Sequence, residues 1–316
     1  MISKTEILQV SEQISPFIHN CPLLESQYFN DLLEAQVFFK AENFQKTGSF
    51  KARGAINSIL NLGKAEYSKG VATHSSGNHG QALAWAAKQK GISSWVIMPS
   101  NAPEIKKRAV KAYGAIVIEC EPSLAAREEG LKKIQEETGA TFIPPFNYHH
   151  TIAGQATAAM EIIREVPNLD FIITPVGGGG LLSGSSLAAK YLSPNTQVFG
   201  AEPENANDAW QSFNAQKLIP VKNPNTLADG LKTSLGDLTF HYIMEGVSHI
   251  FTCTESEIIA SMKMVWERMK IIIEPSSAVA LACAIKHKSI FKGKKLALIL
   301  SGGNVDLEKF FEKLKA

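Results

Sequence analysis

The chain has 316 residues, of which 45% are hydrophobic and 20% charged. That is ordinary globular usage, long enough for about two domains, and it excludes a disordered tail or a small disulfide scaffold. Lys+Arg number 32 against 30 Asp+Glu, so no charge excess points to nucleic acid; the longest apolar runs, such as 296–300, fall far short of a membrane span, and residues 1–20 do not read as a signal peptide. Cys21, Cys120, Cys253 and Cys283 form no C-x-x-C pair, so they read as buried reduced thiols in a cytoplasmic protein.

In chain order, short β-rich runs at 37–40, 70–74, 95–98, 116–119, 141–143, 171–175, 197–201, 249–252 and 296–300 predict strands. Helical patterns fall between most of them, at 81–90, 104–113, 124–138, 152–165 and 255–269. Strands separated by single helices imply right-handed βαβ units and an α/β fold with largely parallel sheets covered by helices. Pro144-Pro145 is the expected crossing point between two domains.

Ligands of open parallel sheets sit beyond the carboxyl ends of the strands. Three unusual clusters lie there. Ser75-Ser76-Gly77-Asn78-His79-Gly80 follows one strand, Gly177-Gly178-Gly179-Gly180 another, and Ser301-Gly302-Gly303-Asn304 the last. Taken together they predict one shared site.

The four glycines precede a helix expected to start near Leu181, and their backbone N–H groups with the helix dipole suit a phosphate. No Lys-Ser/Thr follows, so this is not a P-loop, and Leu182 or Ser183 stands where the third glycine of a dinucleotide fingerprint belongs. Glu202, at the end of the next strand, keeps a dinucleotide-dependent oxidoreductase open as an alternative. Lys51 is placed in the first turn of a helix capped by Thr47 or Ser49. The helix dipole, Lys46 and Arg53 should all lower its pKa, which suits an amine nucleophile or a Schiff base. By itself such a lysine reads more readily as a solvated surface residue; beside a phosphate cradle it points to an aldehyde that carries a phosphate.

The 75–80 stretch could bind a carboxylate through hydroxyls and helix-start N–H groups, or be a plain N-cap. Glu202 and Asp208 flank a loop whose oxygens suit a hard divalent cation, or are solvated acids. His149-His150 has no third ligand at metal spacing, so a loop role is expected.

With those residues in place, the chain resembles the fold-type II pyridoxal-phosphate enzymes, whose architecture is like that of the tryptophan synthase β chain. The stretches that match are 48–55 around Lys51, 75–81, Gly177 to Gly180 and 301–304, with Ala153-Gly154-Gln155, Ala201-Glu202-Pro203, Ala228-Asp229-Gly230 and Ile273-Glu274-Pro275. The nearest likeness is to the branch of serine racemases and serine/threonine and hydroxyaspartate dehydratases. The resemblance implies a large cofactor domain of residues 1–69 and 148–316 and a small mobile domain of 70–147.

It also implies roles. Lys51 would carry the cofactor as a Schiff base and then act as base on one face. Gly177, Gly178, Gly179, Gly180 and Leu181 would hold its phosphate, Asn78 its ring hydroxyl and Ser301 its pyridine nitrogen, with Phe50 and Glu274 lining the ring. Ser75, Ser76, Gly77, Asn78, His79 and Arg127 would meet the substrate, Ser76 as the acid/base on the opposite face that permits racemisation. Arg127 could read a second carboxylate, as in 3-hydroxyaspartate. Glu202, the carbonyl of Ala206 and Asp208 would hold Mg²⁺, Ca²⁺ or Mn²⁺. Ser26, Lys46, Thr47, Gln81, Tyr113, Lys270 and Asn304 match a nucleotide-effector site for ATP at a homodimer interface, from which Gln27 and Tyr28 depart. Fifteen residues follow Ser301, so no C-terminal regulatory domain is expected, and Ala52 argues against the threonine synthase branch. The expected activity is dehydration of L-serine or L-threonine, racemisation of serine, or dehydration of 3-hydroxyaspartate. A non-catalytic ligand-binding relative is a further alternative, against which the intact Lys51 and Ser76 stand.

Overall fold

The computed structural model describes residues 1–75, 77–102 and 104–315, without the side chains of Ile105, Lys309 and residues 313–315. The chain opens with α1 (Lys4–Ile14), β1 (Leu23–Glu25), α2 (Gln27–Leu33), β2 (Gln36–Ala41), α3 (Lys51–Leu60) and α4 (Lys64–Lys69). A second region follows: β3 (Val71–His74), α5 (Asn78–Lys90), β4 (Ser94–Pro99), α6 (Glu104–Ala112), β5 (Ile116–Cys120), α7 (Leu124–Thr138) and β6 (Thr141–Phe142). The chain then returns through α8 (His149–Glu165), β7 (Phe171–Pro175), α9 (Gly180–Leu192), β8 (Gln197–Pro203), α10 (Asp208–Ala215), α11 (Asp237–Gly246), β9 (His249–Cys253), α12 (Glu255–Met269), α13 (Pro275–Lys286), β10 (Lys295–Leu300) and α14 (Leu307–Lys315).

Two sheets result. One has the order β1-β2-β10-β7-β8-β9, parallel except for β1, and the other the order β5-β4-β3-β6, all parallel. Strands such as β7 and β10 are buried almost throughout, because helices cover both faces, and so they read as continuous apolar runs. In the larger sheet the chain runs outward from β7 to β9, then β10 returns to lie between β7 and β2. The crevice at this reversal, beyond the carboxyl ends of β7 and β10, is flanked by the glycine cluster and by Ser301. In the smaller sheet β3 is the corresponding strand, and the 75–80 stretch leaves its end. No helix among the described residues is long and apolar enough to cross a membrane, and all four cysteines are free.

The expected strands are all present, but several elements escape a reading by periodicity. Helix α13 is buried at every position from Pro275 to Ala284, so it has no polar face to mark a 3.6-residue period. Helices α2 and α4 are seven and six residues long. His149 and His150 open α8 rather than a loop, and His149 Nε2 meets Glu6 Oε1 at 2.5 Å, pinning α1 to it.

Helices α3 and α8 cross backbone to backbone. A Cβ on Gly154 would stand 2.5 Å from the Arg53 carbonyl oxygen, so only glycine fits. Behind the crossing lies a charge network that is buried except for Glu161, which is partly exposed. Arg53 donates to both Glu42 oxygens at 2.8 Å and to both Glu161 oxygens at 2.6 and 2.7 Å, and Lys40 pairs with Glu161 at 2.7 Å. Two cations and two carboxylates balance, which is what allows them to be buried. The network fixes the helix that begins with Lys51.

Candidate active site

Lys51 is the first residue of α3, and the capping position is Phe50 rather than Thr47 or Ser49. Segment 48–50 instead pairs with the end of β10. Phe50 N donates to the Ser301 carbonyl at 3.0 Å, Gly303 N donates to Gly48 O at 2.9 Å, and Ser49 bridges Gly302. This strap brings Lys51 beside Ser301 although 250 residues separate them in sequence. Lys51 Nζ donates to the Pro145 carbonyl at 2.8 Å and stands 5.1 Å from the Phe50 ring centroid. Burial lowers its pKa to about 8, with Glu274 acting in the opposite direction. The depression expected from sequence is therefore present, but its cause is burial. The Arg53 charge is neutralised by Glu42 and Glu161.

Around the lysine lie the other clusters. Asn78 opens α5 and uses both ends of its amide: Nδ2 donates to Glu274 Oε1 at 2.8 Å, and Oδ1 accepts from Asn304 Nδ2 at 2.9 Å. Asn304 Nδ2 also reaches the Thr47 carbonyl at 2.7 Å. Glu274 is buried, and its carboxyl is pushed up to about 8 by burial and by Asp229, against Lys106 and the bond from Asn78. Ser301 Oγ lies 3.2 Å from Ser277 Oγ, which donates to Gly302 O at 2.6 Å and accepts from Gly302 N at 2.7 Å. Ser277 has a single proton, spent on Gly302, so Ser301 is the donor between the two hydroxyls, and its proton would turn from Ser277 to reach a ring nitrogen.

The glycine cluster turns sharply into α9, with Gly179 at φ +87° in the left-handed region. A Cβ on Gly178 would lie 2.2 Å from the Phe146 ring, and one on Gly180 would lie 2.4 Å from Gln155 Oε1. The first N–H groups of α9 have no intrahelical acceptor, while the Leu181 side chain is buried in the core. These are the features of an anion cradle: unpaired backbone donors, the positive end of a dipole, and no side chain on the glycines themselves.

A pyridoxal phosphate therefore fits the residues present. The cradle suits its phosphate, the amine of Lys51 its aldehyde, Asn78 its ring hydroxyl, and the Ser301 hydroxyl its ring nitrogen. Pro145, Phe146, Gln155 and Ser277 complete the setting and were not singled out by sequence. The only signals for them were the Pro-Pro break and the Ala153-Gly154-Gln155 and 273–275 stretches.

Of the expected substrate residues, Ser76 lies outside the described residues. Ser75 Oγ accepts from Gly77 N at 3.3 Å, and Gly77 caps α5. His79 is buried, with Nε2 donating to the Ile143 carbonyl at 2.9 Å. Burial and the Lys51 charge drive its pKa down to about 3, so the ring is neutral and Nδ1 stays bare. Arg127 is half-buried on α7 with a long bond to Ser123 O, and among the described residues it makes no ion pair.

Glu202 and Asp208 are not solvated. Both Glu202 oxygens accept backbone N–H groups, from Ala209 at 3.1 Å and Trp210 at 2.7 Å, and Asp208 Oδ2 accepts from Leu235 N. Burial and then Asp208 raise Glu202, and burial raises Asp208 to about 7. Asp208 Oδ1 is buried without a partner. No third His, Cys, Asp or Glu joins them among the described residues, so a cation there would depend on carbonyl oxygens such as that of Ala206.

The effector positions are only partly gathered. Lys270, in the left-handed conformation at the end of α12, and Asn304 line a cleft of about 440 Å³ with Asn43, Phe44, Gly48 and Ile272. Lys46 and Thr47 form the turn beside it. Ser26, Gln81 and Tyr113 do not line it; Gln81 is buried in α5, and Tyr113 packs on the core.

A two-sheet α/β architecture with a phosphate cradle, a half-buried lysine and a hydroxyl partner at a strand reversal defines a class of enzymes built around a phosphorylated aldehyde. The chain belongs to the pyridoxal-phosphate dependent enzymes, whose family model matches residues 14–302. It is 47% identical over 304 residues to a beta-hydroxyaspartate dehydratase of Paracoccus denitrificans, covering 96% of each chain. It is 49% identical to a serine racemase of Dictyostelium discoideum, covering 97% of this chain and 96% of the other. The structure of maize serine racemase superposes with a TM-score of 0.95 at 42% identity, covering 99% of this chain and 97% of the other. The dinucleotide-dependent alternative is thereby set aside.

Proposed function

We propose that the protein removes the α-proton of small hydroxy amino acids and expels the β-hydroxyl, returning a keto acid and ammonia, with racemisation of serine as a second outcome. The observation that carries this reading is the Lys51 amine, enclosed, bonded to Pro145 and depressed to about 8, between the glycine cradle and the Asn78–Glu274 pair. At that pKa about a fifth of the amine is neutral near physiological pH, far more than for an ordinary lysine, and able to take a proton. Pyridoxal phosphate, when bound, supplies an electron sink for the charge left at the α-carbon.

The chain's own groups do the rest. Lys51 Nζ receives the α-proton on one face, and Ser76 is proposed to return or take one on the other. Ser301 offers the ring nitrogen a neutral hydroxyl, which favours prompt loss of the β-hydroxyl or prompt reprotonation. Arg127, which makes no ion pair among the described residues, is available to a substrate's second carboxylate, which supports 3-hydroxyaspartate beside serine and threonine. Residues 70–147, which carry the second sheet, are proposed to close on the substrate as a small domain.

Further parts of the reading have separate support. A divalent cation at Glu202, Ala206 and Asp208 would relieve the crowding of two buried carboxylates and engage the bare Asp208 Oδ1. The cleft at Lys270 and Asn304, linked to Asn78 through Asn304, supports a nucleotide effector; residues absent from its lining, such as Tyr113, would come from the second subunit of a homodimer. Free cysteines agree with a cytoplasmic setting.

The test is to record the absorption spectrum of the purified protein, then add L-serine, L-threonine and L-threo-3-hydroxyaspartate in turn, following keto acid and D-serine. A visible band that shifts with one substrate and is lost in Lys51→Ala supports the reading. A colourless protein that pyridoxal phosphate cannot reconstitute would overturn it. Ser76→Ala should lose racemisation yet retain dehydration of the L-isomer.

A further inference from the structure

The turn at 229–231 is anchored to the site on its inner side. Gly230 N donates to Ser276 Oγ at 3.2 Å, two residues from Glu274, and a Cβ on Gly177 would lie 3.0 Å from Gly230 O. On its outer side Asp229 pairs with Lys106 of α6. Helix α6 belongs to the other sheet: it connects β4 to β5 and packs on α5 and β5. It starts just past the carboxyl end of β4, next to the 75–80 stretch, where Ser75 N donates to the Ile97 carbonyl.

Neighbouring lysines on α6 divide the work. Lys107 is held within its own region, by Glu104, Glu119 and the Ser100 carbonyl. Lys106 reaches across. Among the described residues, Lys106–Asp229 is the one ion pair that joins residues 71–142 to the rest of the chain. Its ends differ in exposure, 14% for the Lys106 side chain and 51% for Asp229, so the pair is reachable by solvent ions but shielded on the lysine side. Both charges act on Glu274, the carboxyl that holds Asn78.

We propose that Lys106 and Asp229 clasp α6 over the mouth of the site and so act as positioning residues that set how much of the enzyme is closed. The inference deepens the function proposed above and rests on it for its purpose, but closure is read without turnover. The experiment is amide hydrogen exchange of residues 104–112 in the cofactor-loaded protein at roughly 20 and 500 mM salt, where the Debye length falls from about 20 to about 4 Å. A half-exposed pair of this kind should change the open population about two- to five-fold.

Lys106→Met and Asp229→Asn should each speed exchange in 104–112 by that factor and abolish its salt dependence. The charge reversal, Lys106→Asp with Asp229→Lys, should restore slow, salt-sensitive exchange. Unchanged exchange in the single variants, or a reversal as loose as either of them, overturns the clasp. If exchange behaves as expected while no variant nor the wild type turns over any hydroxy amino acid, the clasp stands and the proposed function fails.

Discussion

Replacing Lys51 by methionine should stabilise the cofactor-free protein while abolishing its chemistry. Burial lowers the amine from 10.5 to about 8, a difference of 10.5 − 8 = 2.5 pH units. At about 1.4 kcal/mol per unit, the gross penalty for folding around the charged amine is about 3.4 kcal/mol. Two things reduce it. The residue is half-buried and keeps some contact with water, and methionine gives up the bond to the Pro145 carbonyl, about 1 kcal/mol. A net gain of about 1–2 kcal/mol remains.

The sign follows from proton binding. Between about 8 and 10.5 the unfolded chain holds a proton on this lysine that the folded chain has released, so stability rises with pH across that window. The penalty is fully present below about 8 and gone above 10.5. Urea unfolding of cofactor-free wild type and Lys51→Met at pH 7 and pH 10.5 should therefore show the variant ahead at pH 7, and level or slightly behind at pH 10.5, where only the lost Pro145 bond remains. A variant less stable at pH 7, or one with the same advantage at both values, would refute burial as the source of the depressed pKa. Such a trade of stability for reactivity is expected where a site needs a neutral amine.

Three further outcomes are expected. Gly178→Ala places a Cβ 2.2–2.4 Å from three Phe146 ring atoms, so it should cost about 1–3 kcal/mol and weaken retention of pyridoxal phosphate, read by fluorescence titration; adding Phe146→Ala should recover part of the loss. Arg53→Met leaves Glu42 buried without its guanidinium and should destabilise the protein by about 3–5 kcal/mol in urea unfolding, more than any surface ion-pair variant such as Lys263→Met. Mg²⁺, Ca²⁺ or Mn²⁺ should raise the melting temperature of wild type but not of Asp208→Asn; an equal rise in both would place the ion elsewhere.

What the sequence determined by itself was local. Alternation of short apolar runs with helical patterns is a property of neighbours two to four residues apart, and it marked every strand of both sheets but β1. The glycine, serine and asparagine clusters were legible because unusual residues stood directly after those strands, where open sheets place ligands. Elements without such contrast were invisible: α13 is apolar all round, and the three residues of β1 leave no period to read.

The tertiary structure decided the partners. Pro145 holds Lys51 from 94 residues away, Glu161 reaches Arg53 across 108, and Asn304 reaches Asn78 across 226. None of these contacts has a sequence period, because each depends on β10 returning between β2 and β7 and on α3 crossing α8 at Gly154. The pKa of Lys51 shows the difference. Its direction was inferred from nearby charges, Lys46 and Arg53, but Arg53 is cancelled by distant carboxylates and the shift comes from burial. Desolvation is set by everything that folds around an atom, so it belongs to the assembled chain and not to any segment of it.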